Sequence, residues 1–340
     1  MSVLKPLLAR LARLDPDALL NLRPAYPPVA VEVDRGQLAL VRVRSRGRGR
    51  ASLEAFRVQA APDQAVGASM FRPNIGSLDG MAAEVRSLFE RSGTKPGKIS
   101  LILPDNLAKV SIVTLPERPA NRKRLAEILR FKLRRSVPFR LEDAVVSSYA
   151  LPGEGPEVNF LVAVMLRSVV EQYEAAFEAA GARPGLVDLC TPSLYNLVRP
   201  EIERAVAGGS DAALLNCARN YFTLMLIRSD RVVFYRCKTY ATSDEADDSA
   251  RIAVMSRELA SSLSYYQEKL SGAGIGSVFV RAAAPAYDEV APVLEKIGLS
   301  NVHAIDPFAR LEAGPEARAG AADGVALAPA LGAAAGRTAA

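Results

Sequence analysis

The sequence predicts an α/β fold with two lobes, because three antiparallel strands followed by helices and further strands occur twice along the chain. In the first half, apolar residues alternate over residues 29–58 and predict three short strands, with bends at Gly36 and at residues 44–50. After a glycine pair at residues 208–209, a second set of three strands joined by tight polar turns is predicted over residues 212–238. The restart indicates an internal duplication, and 340 residues are enough for two cores.

Between these two sets of three antiparallel strands, each a β-meander, predicted helices alternate with strands that are rich in β-branched residues. Met81, Val85 and Phe89 recur at helical spacing and predict a first helix, and Asn121 is placed to cap a second. Runs rich in valine, isoleucine and leucine predict the strands. The remaining elements predicted for the first half are strands at 99–103, 110–115, 144–151, 158–166 and 185–189, and helices at 168–180 and from Pro192.

The second half repeats this alternation. Its predicted elements are strands at 212–217, 221–227, 232–238, 277–281 and 302–305, and helices at 248–270, 287–297 and 323–335. We therefore expect a first lobe at residues 29–207, with a small α+β subdomain at about 105–170, and a second lobe at residues 208–336. At the ends we expect a cationic amphipathic helix and linker at residues 1–28, and a disordered tail at residues 337–340.

Composition excludes several classes of protein. The longest apolar stretches, such as residues 160–166, are far shorter than the roughly 20 residues that span a bilayer, and the N-terminus lacks the apolar region of a secretory signal. Three scattered cysteines and one histidine, His303, predict neither a disulfide framework nor a metal site. We expect a cytoplasmic protein. The excess of 43 Lys and Arg over 37 Asp and Glu suits an anionic partner without identifying one.

Two stretches concentrate the positive charge. Arginines alternate over residues 42–50, and seven Lys or Arg residues lie within residues 122–135. Each is typical first of a solvated surface and second of a contact to an anionic membrane surface. The first stretch lacks the interleaved aromatic residues that stack on single-stranded nucleic acid, so we expect no nucleic-acid partner. A nucleic-acid adaptor would instead bind with a steep salt dependence.

Several segments resemble the PilM family of type IV pilus platform proteins. They are the two meanders, residues 98–104 (KISLILP), residues 132–139 (KLRRSVPF) and residues 264–266 (SYY), in the family's order over roughly residues 29–335. The resemblance implies an actin-like fold, that is, a duplicated ribonuclease H-like fold with a small inserted α+β subdomain. It also implies a peripheral position at the cytoplasmic face of the inner membrane, other pilus platform proteins as neighbours, and capture of the N-terminal cytoplasmic peptide of a PilN-like membrane protein.

The resemblance further implies a nucleotide site between two hairpins, in which glycines admit phosphate and acidic residues serve magnesium. The first hairpin keeps both residue types, whereas an amide and an alanine replace the acid and the glycine of the second. The resemblance also implies a glycine pair after Val280, but residues 281–284 (RAAA) contain no glycine. We therefore predict a degenerate site without a catalytic residue or a cofactor, and keep binding of ATP and Mg²⁺ as the alternative. The remnant positions are Asp34, Gly36, Asn216, Ala218 and Gly332.

The partner peptide is implied to bind a groove between the first lobe and the small subdomain. Leu129, Leu133, Val137 and Phe139 are the candidate apolar wall residues, although the same pattern is more often typical of a buried core. Two functions from different classes remain open. One is a scaffold that binds the tail of a membrane protein, and the other is an ATP-binding switch or ATPase of the same machine. Nucleotide affinity separates them.

Overall fold

Strand order is the same in the two largest sheets. The computed structural model describes residues 26–47, 50–61, 69–153, 157–240, 247–314 and 321–335. The first sheet contains β1 (Val29–Asp34), β2 (Gln37–Gly47), β3 (Arg50–Ala60), β4 (Lys98–Leu103), β8 (Arg183–Leu189) and β14 (Leu311–Glu312). The second contains β9 (Asp211–Cys217), β10 (Tyr221–Arg228), β11 (Arg231–Thr239), β12 (Ile275–Ala282) and β13 (Val302–Ala304).

Over five strands, each of these sheets consists of an antiparallel meander followed by two parallel strands, and the first sheet has β14 as an additional edge strand parallel to β3. In the first sheet β3, β2 and β1 are followed by β4 and β8, and in the second β11, β10 and β9 are followed by β12 and β13. The first strand of each meander pairs in parallel with the next strand, β4 or β12. The repeated order confirms the predicted α/β class with a duplicated unit.

A third, smaller sheet is inserted after β4. Its antiparallel strands are, in spatial order, β5 (Lys109–Leu115), β7 (Val158–Leu166) and β6 (Ala144–Ala150). Helix α2 (Arg122–Leu133) packs against this sheet and shares a core with it. The Asn121 side chain accepts a hydrogen bond from the backbone N–H of Arg124, so Asn121 caps α2 as the sequence predicts.

The other helices pack on the two large sheets. They are α1 (Leu78–Arg91), α3 (Arg167–Ala179), α4 (Cys190–Val206), α5 (Asp248–Lys269), α6 (Tyr287–Lys296) and α7 (Ala321–Ala335). Helices α4 and α7 share one core with both large sheets, which joins the two lobes. Helices α1 and α3 contribute to a second core with the first sheet, and α5 and α6 to a third with the second sheet. Across the described ranges, no helix is long and apolar enough to span a bilayer.

The arginine-rich bend differs from the prediction. Strands β2 and β3 are 11 residues long each, and they include residues 44–47 and residue 50 of the stretch in which the sequence predicts a bend. Arg42 Nε lies 3.3 Å from a carboxylate oxygen of Glu54 on the neighbouring strand, and Arg44 pairs with the same carboxylate. The cross-strand acid allows two arginines to stand in a sheet, because it compensates part of their charge.

Some sequence predictions lie outside the described residues. These are the amphipathic helix at residues 1–14, the tip of the arginine-rich hairpin at residues 48–49, and the tail at residues 337–340.

Candidate functional site

The first hairpin joins β1 to β2 and carries Asp34 and Gly36. Gly36 has a φ of 71°, a left-handed conformation that glycine adopts without strain. Asp34 is 5% exposed and accepts a hydrogen bond from the backbone N–H of Arg35, at 2.8 Å from its Oδ1. Burial raises the pKa of Asp34, and the nearby Arg281 guanidinium opposes that rise. Both predicted residues are therefore together at one turn.

The second hairpin joins β9 to β10, and its two predicted residues, Asn216 and Ala218, are fully buried. The Asn216 amide nitrogen donates hydrogen bonds to Thr191 Oγ1 at 3.1 Å and to Asp105 Oδ2 at 3.3 Å. Its Oδ1 accepts a hydrogen bond from Arg281 Nη1 at 3.3 Å. Both polar atoms of Asn216 are therefore bonded within the protein, and the oxygen faces a guanidinium.

Arg281 connects the two lobes. It lies on β12, opposite Asn216 in the parallel register, and is 3% exposed. Its Nη2 is 3.1 Å from Glu32 Oε1 on β1 of the first lobe. Its Nε donates to the carbonyl oxygen of Val325 in α7 at 3.0 Å. One buried guanidinium thus contacts both large sheets and the helix that packs between them.

Asp105 forms a second contact between the lobes. It begins a 3₁₀ helix, Asp105–Leu107, directly after β4, and is fully buried. Its carboxylate accepts hydrogen bonds from the backbone N–H of Thr191 at 2.9 Å and from the Thr223 hydroxyl at 2.8 Å, and also from the Thr191 hydroxyl. Thr191 is in the first turn of α4, whereas Thr223 is on β10. The carboxylate therefore bridges elements from both halves of the chain.

Three carboxyl groups near this boundary have raised pKa values, those of the buried Glu32 and Asp105 and of the half-buried Asp188. Burial raises the pKa of Glu32 to about 7, and the Arg281 guanidinium opposes part of that rise. Burial also raises the pKa of Asp188 to about 6, against the hydrogen bond from the backbone N–H of Leu189. The pKa of Asp105 is raised by burial despite its hydrogen bonds. These carboxyl groups therefore bind protons more strongly in the folded protein than in the unfolded chain.

We expect the free energy of unfolding to fall as the pH rises from about 4.5 to about 7. In this window Glu32 keeps a proton in the folded protein that the unfolded chain releases, so rising pH favours the unfolded state. The shift of Glu32 alone corresponds to roughly 3 kcal/mol. Urea unfolding across the window should show a smaller slope for Glu32→Gln, and an unchanged slope for the exposed control Glu142→Gln. An unchanged slope in Glu32→Gln would contradict the assignment.

Gly332 lies where α7 crosses α4. A Cβ atom built on Gly332 would be 1.9 Å from the carbonyl oxygen of Ser193 and 3.3 Å from Leu197 Cβ. No side chain fits there, because the backbone of α4 occupies the space. The structure therefore gives Gly332 a packing role between two helices.

The four predicted groove residues divide into two pairs. Leu129 and Leu133 are 1% and 4% exposed and lie in the core between α2 and the third sheet. Val137 and Phe139 line an open cavity of about 870 Å³. Val137 is also part of that core and Phe139 packs against it, so the second pair contributes both to the core and to a space that a ligand could enter.

Sequence reasoning missed Glu32, Asp105 and the contact made by Arg281. Glu32 has a detectable signal, since Ala30, Glu32 and Asp34 alternate on one face of β1 and place two acids among buried neighbours. Asp105 follows a proline and looks like an ordinary turn residue. The sequence shows Arg281 only as part of the segment that replaces an expected glycine pair. Its partner Glu32 lies 249 residues away in the sequence, so the sequence does not indicate their contact. Among the described residues, no group of three or more His, Cys, Asp or Glu side chains could hold a metal ion.

Comparison with protein-family models finds no match, and comparison with curated proteins finds none either. Among solved structures, the chain is similar to one named the PilM-PilN type IV pilus biogenesis complex. The TM-score is 0.76 and the identity 17%, and the alignment covers 93% of this chain and 99% of the other.

Two further structures are less similar. A protein of Bacteroides thetaiotaomicron, described as having an actin-like ATPase fold and unknown function, is 8% identical with a TM-score of 0.49, over 84% of this chain and 93% of its own. The cytoplasmic domain of EpsL, an inner-membrane component of the type II secretion system of Vibrio cholerae, is 11% identical with a TM-score of 0.46, over 89% and 94%. The repeated sheet order and the PilM-PilN match together establish that this chain has the actin-like, two-lobed fold of that pilus complex.

Proposed function

We propose that the chain is a non-enzymatic platform protein of a type IV pilus or related assembly machine. In this role it lies at the cytoplasmic face of the inner membrane, contacts other platform proteins, and binds the N-terminal cytoplasmic peptide of a PilN-like membrane protein. The fold supports the proposal, because the matched structure is named as a complex of PilM with PilN and the alignment covers nearly all of both chains.

The observation that carries the non-enzymatic part is the position of Arg281. In an actin-like site, two hairpins hold a triphosphate and their acidic residues serve magnesium. Here a guanidinium lies between Glu32 and Asn216, and its positive charge also acts on Asp34. A fixed cation repels a metal ion, and the Asn216 amide offers the metal no carboxylate ligand. These residues do not fit a magnesium-bound triphosphate.

The cavity beside Val137 and Phe139 supports the peptide-binding part. Its volume of about 870 Å³ is that of a ligand-sized cleft, and Arg130, Arg134 and Arg140 contribute to its lining. An apolar side chain of a peptide would contact the two apolar residues, while the guanidinium groups would bind its carbonyl or carboxylate oxygens. We infer that the peptide anchors an apolar residue in this cavity.

Phe139→Ala should weaken binding of this peptide at least tenfold, because truncating an aromatic residue in a binding pocket commonly costs about 2 kcal/mol. The measurement is a calorimetric titration with a synthetic peptide that has the N-terminal cytoplasmic sequence of the PilN-like protein from the same organism. Val145→Ser is the matched control, since Val145 is 37% exposed on β6 and does not line the cavity. Equal affinities of the Phe139 variant and the control would place the peptide elsewhere.

The alternative is an ATP-binding switch, and the intact hairpin of Asp34 and Gly36 favours it. We expect titration with ATP and Mg²⁺ to show no binding at millimolar nucleotide, with or without the peptide. Micromolar binding that requires magnesium and is lost in Asp34→Asn would overturn the non-enzymatic part of the proposal. It would leave the peptide result to be judged separately, because the two experiments use different ligands and different variants.

A further inference from the structure

The outer face of α2 combines an exposed aromatic residue with clustered positive charge. The helix buries Leu129 and Leu133 against the third sheet. Successive helical residues are rotated by about 100°, so Phe131 points away from that core. The exposed side chains on this outward face of α2 and directly after its last residue are Lys123, Arg124, Glu127, Arg130, Phe131, Arg134 and Arg135.

Phe131 is 80% exposed, which is more than any other large apolar side chain in the described part of the chain. It borders the same cavity as Val137 and Phe139, but those two side chains are largely covered by the protein, whereas the Phe131 ring protrudes into water. An aromatic ring that protrudes into water gains free energy when it enters an apolar medium. This face therefore favours contact with a partner that the ring can penetrate.

The charges around Phe131 are mostly uncompensated. The single carboxylate of this face, Glu127, pairs with Arg124 at 3.3 Å. Arg130, Arg134 and Arg135 form no ion pair with any carboxylate among the residues that the structure describes. Several guanidinium groups on one helix face repel each other until anions lie between them. The partner of this face should therefore be anionic over an extended area.

We propose that this Phe131 face docks on an anionic lipid bilayer, with the ring at the boundary of headgroups and acyl chains and the cations on lipid phosphates. Interfacial helices use this combination of an apolar insertion and a basic surround. An acidic peptide would match the charge, but one bound in the cavity that Phe131 borders would leave most of the ring in water, since Phe131 is 80% exposed. The inference goes beyond the proposed peptide binding and does not depend on it. Arg130 and Arg134 also line the peptide cavity, so a tail that emerges from the bilayer would reach it directly.

The chain contains no tryptophan, so Phe131→Trp provides a single fluorescent reporter on the full-length protein. With vesicles of equal parts phosphatidylcholine and phosphatidylglycerol, we expect a blue shift of the emission and quenching by bromine-labelled lipid. With phosphatidylcholine alone, we expect neither. Phe71→Trp is the matched control, because Phe71 is 56% exposed and lies outside α2, and its emission should not change. An unshifted Phe131→Trp emission with bound vesicles would overturn the proposal.

Charge variants test the same face by co-sedimentation with the mixed vesicles. Arg130→Gln combined with Arg134→Gln should weaken partitioning about thirtyfold, since each basic residue near an anionic surface contributes about fivefold. The control removes the same charge elsewhere, from the exposed residues Arg72 and Arg91, and should change partitioning far less. If both double variants lose the same degree of vesicle partitioning, the effect depends on net charge alone, and the proposal that this particular face binds lipid is contradicted. A poly-glutamate peptide that shifts the Phe131→Trp emission when vesicles do not would identify a protein partner and overturn the lipid proposal.

Discussion

Replacing Arg281 by methionine should lower the free energy of unfolding by about 3–5 kcal/mol. Methionine keeps much of the side-chain length but removes the charge that faces Glu32 and the donors that reach Asn216 and Val325. The loss is large because these partners remain buried and have no access to water. A buried carboxyl group without a partner either stays charged at high cost or takes up a proton.

The measurement for Arg281→Met is equilibrium urea unfolding near neutral pH. Arg199→Met is the matched control, because Arg199 pairs with Glu203 at 2.6 Å while both side chains are about half exposed. Its cost should stay below about 1 kcal/mol. Adding Glu32→Gln to Arg281→Met should recover part of the loss, since the second change removes the uncompensated acid. A loss as small as that of the control would mean that the buried pair does not stabilise the fold.

The contacts of Arg281 and Asp105 also oppose separation of the two lobes. Arg281 and Asp105 connect β1, β4 and α4 of the first lobe with β9, β10 and β12 of the second. Because these bonds are internal, they hold the lobes together without a ligand. An ATP-driven movement that separates the lobes at this boundary would have to break them, at the cost of exposing or stranding several buried polar groups. This is the physical reason for preferring a static platform over an ATPase.

The fold could be predicted from the sequence because its signals are local. Alternating apolar residues along β2 and continuous apolar runs along β9 and β10 predict the strands, and the restart after residue 208 indicates the duplication. The Asn121 cap of α2 was also predicted, since the cap and its first turn are neighbours in the sequence. The helix predicted from Pro192 instead begins at Cys190, and this earlier start places Thr191 where its backbone N–H can bind Asp105.

The site could be predicted only in part because its contacts are distant in sequence. Asp34 and Gly36 share one hairpin and were found together. By contrast, Glu32 meets Arg281 across 249 residues, and Asp105 meets Asn216 across 111. A single sequence gives no sign of such pairings, and the residue types involved also occur in turns and on surfaces. The arginine-rich stretch shows the same limit, because only the facing Glu54 explains why it can continue as strands.

Gly332→Ala should destabilise the protein by at least about 3 kcal/mol, at or above the upper end of ordinary overpacking. The added Cβ would lie 1.9 Å from the carbonyl oxygen of Ser193, so α7 or α4 must move as a backbone unit. A move of either helix would disturb the core that both large sheets share. Thermal and urea unfolding measure the loss. Gly97→Ala is the control, since a Cβ there meets no atom within 4 Å, and its effect should be small.

This substitution also separates the two explanations of the sequence pattern around Gly332. If the glycine is needed for helix packing, Gly332→Ala loses stability in buffer that contains no nucleotide. If it is needed for phosphate to approach the backbone, the variant keeps its stability without nucleotide, and only the extra stability that ATP confers on the wild-type protein disappears. A stable Gly332→Ala variant would therefore contradict the packing role and return Gly332 to the nucleotide site. The geometry predicts the first result, because the carbonyl of Ser193 occupies the space that any side chain would need.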